Sequence, residues 1–231
     1  MLFLAIPKGF ALSATPAIMT FAKEAWPFVL PFLVLAIVLV LADWHRTAII
    51  LLVLGLGTLL FFRIPRRHFD SDPDVLLAPA SGHITSIEPA IDDLVGAGDY
   101  TRIVTFLSVF DVHVQRAPGA AKVIAIEFRA GRKIAAFKPE AGEVNESRLT
   151  VFELASGDTV GVRQIAGLVA RRVVGYLEEG DIVERGDLMG VIKFGSRVDL
   201  LVPQGYSVLV TEGQRVHEGL TPIAVAESSN S

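Results

Sequence analysis

The sequence predicts a mainly β protein of the α+β class, in which an N-terminal membrane helical hairpin precedes a β-rich domain. Three observations predict it: two uncharged apolar runs, many short β-like runs after them, and an uneven distribution of charge. The 231 residues are 52% hydrophobic and 20% charged, and the mean hydropathy of +0.51 is too high for a typical soluble globule. This composition excludes intrinsic disorder for the whole chain, and the absence of cysteine excludes disulfides, thiolate nucleophiles and cysteine-bound metals.

The hairpin is predicted from two uncharged runs of 16 residues, 27–42 and 47–62. As helices they would be about 24 Å long, which is shorter than the ~30 Å hydrocarbon core of a bilayer. They would therefore span with flanking residues included, or enter the membrane as a tight hairpin. Both runs are apolar on all sides, which favours a membrane over the alternative of a buried hairpin in a soluble protein.

Charge divides the chain into a basic leader, 1–67, with a net charge of +4, and an acidic remainder, 68–231, with −8. Basic residues flank the runs outside the hairpin, and Arg46 is the one between them. By the positive-inside rule, both ends of the hairpin and the whole second domain face the cytoplasm, at the cell (inner) membrane. The overall charge of −4 argues against nucleic acid as a partner.

The second domain shows short β-like runs broken by glycine, proline and acidic residues, which predict antiparallel or mixed β structure. One further segment, 165–174, predicts a short helix, with a strand as the alternative. The predicted strands are 75–78, 83–87, 102–107, 122–128, 149–154, 159–164, 187–192, 198–202 and 207–210.

Two glycine-containing segments, 78–82 and 180–187, are similar to the turns of lipoyl- and biotinyl-type domains, and the second pattern recurs at 212–219. They predict a β-rich domain with lipoyl/biotinyl-like sandwich character. A carrier function would need a lysine at an exposed hairpin tip, but the nearest, Lys193, lies inside an apolar strand pattern. A non-enzymatic, membrane-anchored adaptor of this fold is the alternative to an enzyme.

The chemistry-bearing feature is Gly195-Ser196, which interrupts the strand-like run 191–200. By itself such a pair indicates a bulge or a tight turn. The usual hydrolase, zinc-peptidase and phosphate-loop motifs are missing from the sequence, and no two histidines are spaced i, i+4, so we expect no metal site.

The wider context resembles the phosphatidylserine decarboxylase proenzymes, in their short bacterial form. The segment 164–199 carries Gln-Ile-Ala-Gly at its start and Phe-Gly-Ser-Arg-Val-Asp at its end. Upstream, 110–118 resembles the family's Asp-x-His segment, and Asn145-Glu146 resembles its Asn-Glu element. The resemblance covers roughly 60–225.

This resemblance implies a zymogen that cuts itself before Ser196, giving a β chain, 1–195, and an α chain, 196–231. Ser196 would become a covalent pyruvoyl cofactor, which forms a Schiff base with phosphatidylserine in the membrane. Loss of carbon dioxide would yield phosphatidylethanolamine, a carboxy-lyase reaction of phospholipid biosynthesis. The two chains would form a heterodimer, with a higher oligomer left open.

Other site residues follow from the same resemblance. His113 is expected to be the catalytic acid/base, since imidazole titrates near neutrality, and Asp111 would lie on the same face if this segment is a strand. Arg171 and Arg172 are expected to bind the substrate carboxylate or phosphate; a solvated face or an internal ion pair is their alternative.

The chain departs from the family pattern at two positions. Ser81 stands where many relatives have an aspartate that orients the activating histidine, and Arg116 stands where some longer relatives have a second histidine. We therefore expect His83 or Asp111 to support processing in its place. A processing-defective homologue is the alternative.

Overall fold

The computed structural model describes residues 19–68, 73–136, 138, 140–168, 172–193 and 195–227. A 3₁₀ turn, Lys23–Ala25, leads into the first helix. The helices are α1 (Trp26–Leu41), α2 (His45–Phe61) and α3 (Ala141–Val144). The strands are β1 (Met19–Phe21), β2 (Arg63–Pro65), β3 (Val75–Leu77), β4 (Gly82–Ala90), β5 (Tyr100–Leu107), β6 (Val114–Arg116), β7 (Ala121–Arg129), β8 (Ser147–Leu154), β9 (Thr159–Ala166), β10 (Val173–Gly175), β11 (Ile182–Val183), β12 (Leu188–Ile192), β13 (Ser196–Pro203), β14 (Tyr206–Val208), β15 (Arg215–Val216) and β16 (Pro222–Ala226).

The predicted helical hairpin is confirmed. Asp43 turns the chain between α1 and α2 with a φ of +62°, a left-handed conformation that aspartate tolerates. The two helices pack closely where Gly55 meets Phe32, since a Cβ at Gly55 would lie 3.2 Å from the phenylalanine Cβ. Lys23–Leu41 is long and apolar enough to cross a membrane, whereas α2 is a shorter apolar helix.

The predicted mainly β class is confirmed as well. One antiparallel sheet of eight strands has the order β11-β7-β8-β9-β13-β5-β4-β15. It curls into a half-barrel, and two three-stranded sheets, β10-β12-β6 and β14-β16-β3, contribute to the core with its inner face. Val198 and Leu200 of β13 lie in this core with Ile192 of β12 and Ala224 of β16. The inner face of β13 is therefore dry, and this is the face on which Ser196 lies.

The helix predicted over 165–174 is wrong. Ile165 and Ala166 are the last residues of β9, and they pair with Arg197 and Ser196 of β13. Val173 begins β10, and residues 169–171 lie outside the described part of the chain. Pairing with a central strand outweighed a local pattern that was compatible with both structures.

The base of the hairpin packs on the second domain. Ala25, Phe61 and Phe62 form a buried cluster with Val112 and Val191. Hydrogen bonds reinforce this contact: the Arg63 guanidinium donates to the Phe110 carbonyl oxygen at 2.8 Å, and Tyr176 Oη donates to the Glu24 carboxylate at 2.7 Å. The C-terminal end of α2 is thereby fixed against the loop that carries His113.

Candidate active site

Gly195-Ser196 lies where the central strand β13 begins. Ser196 pairs with Ala166 of β9 on one side and with Leu107 of β5 on the other. Gly195 has a φ of +65°, a left-handed conformation that favours glycine. The Ser196 side chain is completely buried, and its Oγ has no hydrogen-bond partner among the described residues. Because an unpaired buried hydroxyl is costly, it marks Ser196 as a candidate for chemistry.

His113 contacts this dipeptide directly. Its Nε2 accepts a hydrogen bond from the Gly195 N–H at 3.2 Å, and its Nδ1 donates to the main-chain oxygen of Asp111 at 2.9 Å. The two bonds together assign the neutral tautomer with the proton on Nδ1. The ring is 1% exposed and packs on Phe61, with 4.1 Å between ring centroids. Burial lowers the pKa of His113 to about 4, so the imidazole is neutral near pH 7.

Asp111 holds the loop before His113. Its carboxylate accepts hydrogen bonds from the Ser108 N–H at 2.9 Å and the Ser108 hydroxyl at 2.8 Å, and from the Arg215 guanidinium at 2.6 Å. Asp111 therefore contacts the imidazole through its main-chain oxygen, while its side chain fixes the loop. The structure brings Asp111, His113 and Gly195-Ser196 together, as the sequence predicts.

The carbonyl group of Gly195 lies against the backbone of Gly167, which has no side chain. A Cβ added to Gly167 would lie 2.2 Å from the Gly195 oxygen and 3.2 Å from its carbon. Only glycine at position 167 leaves room for this carbonyl. Asn145 helps to fix the backbone next to Gly167, because its side-chain amide donates to the Ala166 oxygen at 2.7 Å.

A family model described as "Phosphatidylserine decarboxylase" matches residues 55–224 of this chain. The chain belongs to the phosphatidylserine decarboxylase family. This family is one of carboxy-lyases, so the chain is an enzyme of that class. The match spans both the Asp111–His113 loop and Gly195-Ser196.

Individual proteins agree with the family match. The chain is 38% identical over 200 residues to the phosphatidylserine decarboxylase proenzyme of Syntrophotalea carbinolica, covering 87% of this chain and 94% of the relative. It is 42% identical over 201 residues to that of Saccharopolyspora erythraea, covering 86% and 85%. For the proenzyme of Granulibacter bethesdensis, identity is 38% over 227 residues, covering 95% and 93%.

The remaining predicted residues are Arg171, Arg172 and His83. Arg171 is outside the described residues, and Arg172 is exposed just before β10. His83 is exposed and pairs with Phe106, which in turn pairs with Arg197, so it lies on the outer face of the sheet. The structure does not bring His83 to Ser196, whose side chain faces inward.

The two departures from the family pattern share one buried cluster at the foot of the hairpin. Ser81 donates to the Glu218 carboxylate, and the Glu218 N–H donates back to Ser81 Oγ at 3.0 Å. Glu218 is completely buried and forms a bidentate ion pair with Arg67. Arg116 donates to the Pro65 oxygen at 2.7 Å, next to the same cluster. In this chain, positions 81 and 116 thus anchor the linker that follows α2.

Three residues of the site were not assigned roles from the sequence. They are Gln115, Gln164 and Gly167. Strand parity is the signal for the two glutamines: Gln115 lies in β6, two residues after His113, and Gln164 lies two residues before Ala166, the partner of Ser196. If the segment that begins at Gln164 is a strand rather than a helix, Gln164 and Ala166 share one face, which is the face of Ser196.

Proposed function

We propose that this chain is a membrane-associated phosphatidylserine decarboxylase that cleaves itself between Gly195 and Ser196 and uses a pyruvoyl group derived from Ser196. One observation carries the proposal. The buried, unpaired Ser196 hydroxyl directly follows a left-handed glycine whose N–H is held by the neutral imidazole of His113. Nucleophile, flexible acyl residue and base therefore meet at one peptide bond.

Self-cleavage begins with an acyl shift within the chain. His113 Nε2 first releases its hydrogen bond from the Gly195 N–H. Ser196 Oγ then forms a bond to the Gly195 carbonyl carbon, and the hydroxyl proton passes to the freed Nε2. The C–N bond then breaks as Nε2 returns the proton to the Ser196 nitrogen. The product is an ester between Gly195 and Ser196 with a free amine. The pKa of about 4 keeps Nε2 unprotonated, as this step requires.

The site fits a pyruvoyl group at residue 196. Elimination of the Gly195 carboxylate from the ester, followed by loss of ammonia with uptake of one water, leaves this group on the α chain, 196–231. It is an electron sink that accepts the electrons freed when carbon dioxide leaves the substrate. Because residue 196 is completely buried at the start of β13, a pyruvoyl group formed there would be shielded from bulk water.

His113 gains a second role once the chain is cut. Gly195 becomes the C-terminus of the β chain, 1–195, so its N–H no longer has to cap Nε2. The freed nitrogen can then hold or deliver a proton at the reacting carbon of the substrate. The main-chain oxygen of Asp111 keeps the proton on Nδ1 and thereby fixes which nitrogen acts.

The hairpin supplies the membrane contact. Residues 1–67 hold the protein in the bilayer, and 68–231 form the decarboxylase domain on the cytoplasmic side. The direct contact between Phe61 of α2 and the His113 ring supports entry of phosphatidylserine from the lipid side. Phe110 and Val109, both exposed beside Arg63, extend the apolar surface at this joint. Arg171 and Arg172 remain the proposed ligands of the substrate carboxylate or phosphate.

A lipid-conversion assay tests this function. Purified protein in mixed micelles of detergent and phosphatidylserine should release carbon dioxide and form phosphatidylethanolamine in equal amounts, while Ser196→Ala should form none. An adaptor protein or a processing-defective homologue would convert no lipid in either form, and that result would refute the proposal.

A further inference from the structure

Two buried oxygen atoms without partners lie on the same face of neighbouring strands. They are Ser196 Oγ on β13 and Gln164 Oε1 on β9, and neither has a hydrogen-bond partner among the described residues. Gln164 pairs with Val198, and Ser196 pairs with Ala166, so the two side chains are diagonal neighbours on the inner face. Long side chains reach across such a diagonal. One oxygen carries a proton to donate, and the other can only accept.

The orientation of the Gln164 amide follows from its connection to His113. Gln115 Nε2 donates to the His113 main-chain oxygen at 2.8 Å, so Gln115 presents its Oε1 as an acceptor. Gln164 Nε2 donates to this oxygen at 2.7 Å. Since its nitrogen is used there, Gln164 must leave its own oxygen free. Both glutamines are completely buried, so solvent does not compensate for the free acceptor.

The fold makes room for this amide. A Cβ at Gly190 of β12 would lie 2.9 Å from Gln164 Nε2 and 2.4 Å from a main-chain oxygen. A glycine at 190 therefore allows the amide pair to sit between the large sheet and β12. An apolar side chain at position 164 would avoid the unpaired oxygen, and its absence points to a use for that atom.

We propose that Gln164 is a positioning residue for self-cleavage, an inference that rests on the function proposed above. In the reactive rotamer, Ser196 donates its hydroxyl proton in a hydrogen bond to Gln164 Oε1. This directs an oxygen lone pair toward the Gly195 carbonyl carbon. When the bond to carbon forms, the hydroxyl proton becomes acidic, leaves its hydrogen bond to Gln164 and passes to His113 Nε2, so Gln164 orients the nucleophile without taking part in the proton transfer. The Gln115-Gln164 pair thus couples the orientation of the nucleophile to the loop that holds the base.

The test follows the cleavage of newly made precursor over time, by cell-free synthesis into liposomes and intact mass. Gln164→Leu should slow cleavage about tenfold, because losing the free energy of one hydrogen bond in the transition state lowers a rate by about this factor. Ser147→Ala is the matched control, because it removes another buried hydroxyl without a partner, on the outer face of the sheet. Its cleavage rate should equal that of the wild type.

Two further measurements separate positioning from general structure. In Gln164→Glu, a protonated carboxyl group can both donate to Gln115 and accept from Ser196, whereas a carboxylate faces the Gln115 oxygen unfavourably. Its cleavage rate relative to wild type should therefore fall as the pH rises, and this variant decides the question if Gln164→Leu fails to fold. Hydroxylamine, which cleaves esters, should not restore the rate of Gln164→Leu, because the defect precedes the ester.

Three results would overturn the proposal: wild-type cleavage by folded Gln164→Leu, a pH-independent ratio for Gln164→Glu, or full rescue by hydroxylamine. The last would place Gln164 at the elimination step instead. If the wild-type precursor itself stays whole, the proposed function fails as well, and this outcome is distinct from the other three.

Discussion

Gly167→Ala would place a methyl group against the carbonyl that is attacked during self-cleavage. The new Cβ would lie 2.2 Å from the Gly195 oxygen, so the two atoms must separate by about 1 Å to reach ordinary contact. A misplacement of this size at a reacting group costs about 10²-fold in rate. We therefore expect the precursor half-life to lengthen about 100-fold, measured as a time course of intact mass after synthesis into liposomes.

Two controls separate this effect from loss of stability. Gly57→Ala adds a methyl group in α2 where no atom outside the neighbouring helix backbone lies within 4 Å, and should cleave at the wild-type rate. Gly161→Ala overpacks the same strand that precedes Gly167, with a Cβ 2.7 Å from Val95 Cγ2, and should lower the thermal midpoint more than the cleavage rate. Cleavage of folded Gly167→Ala within threefold of wild type would show that the attacked carbonyl does not need the space at position 167.

Other predictions concern the loop that carries Asp111 and His113, and the contact between the hairpin and the second domain. His113→Gln should slow both chain cleavage and lipid turnover, by about 10²–10⁴-fold, because the proton acceptor is lost; near-wild-type rates in both assays would return His113 to a structural role. Between pH 6.5 and about 4, His113 binds a proton in the unfolded chain but not in the folded protein. The free energy of unfolding should therefore show no loss from His113 above pH 6.5 and should fall by roughly 3 kcal/mol as the pH is lowered toward 4. Chemical unfolding in detergent measures this loss, and His113→Gln should remove it; an unchanged profile in the variant would exclude His113 as its source. Asp111→Ala should slow cleavage more than Asp111→Asn, which keeps an acceptor for Ser108; equal rates would show that the loop does not depend on this side chain. Phe110→Ser should reduce turnover of phosphatidylserine in vesicles but not of a short-chain soluble analogue, and equal losses on both would argue against a membrane contact at Phe110.

Local patterns were sufficient to predict the fold class. The uncharged runs 27–42 and 47–62 became α1 and α2 with a shift of one or two residues, even though Pro31 lies inside α1. Most of the long strands were also predicted near their observed bounds. The short strands β6, β11 and β15 were not, because two or three residues carry no periodicity and depend on their partners.

The candidate site was only partly predictable. Gly195-Ser196, Asp111 and His113 were predicted from motifs that resemble one family, and the structure brings them together. The resemblance did not show that Asp111 acts on the imidazole through its main-chain oxygen. That arrangement depends on a loop closed by Ser108 and on a strand register, neither of which a linear pattern encodes.

The consequence of Ser81 was also beyond the sequence. Its partner, Glu218, lies 137 positions further along the chain, and the contact forms because β15 pairs with the start of β4. The sequence suggests a substitute beside Ser81, at His83, whereas strand pairing turns that side chain to the outer face. Long-range pairing, rather than proximity in the sequence, decides which groups meet.

Intact mass of the purified full-length protein, measured beside that of Ser196→Ala, shows directly whether the chain cleaves itself. The wild type should give two chains, divided between Gly195 and Ser196, with the smaller chain blocked at its N-terminus. Ser196→Ala should remain a single chain of about the full 24.9 kDa. A wild-type protein that stays whole after long incubation with lipid, yet decarboxylates phosphatidylserine at full rate, would contradict self-cleavage.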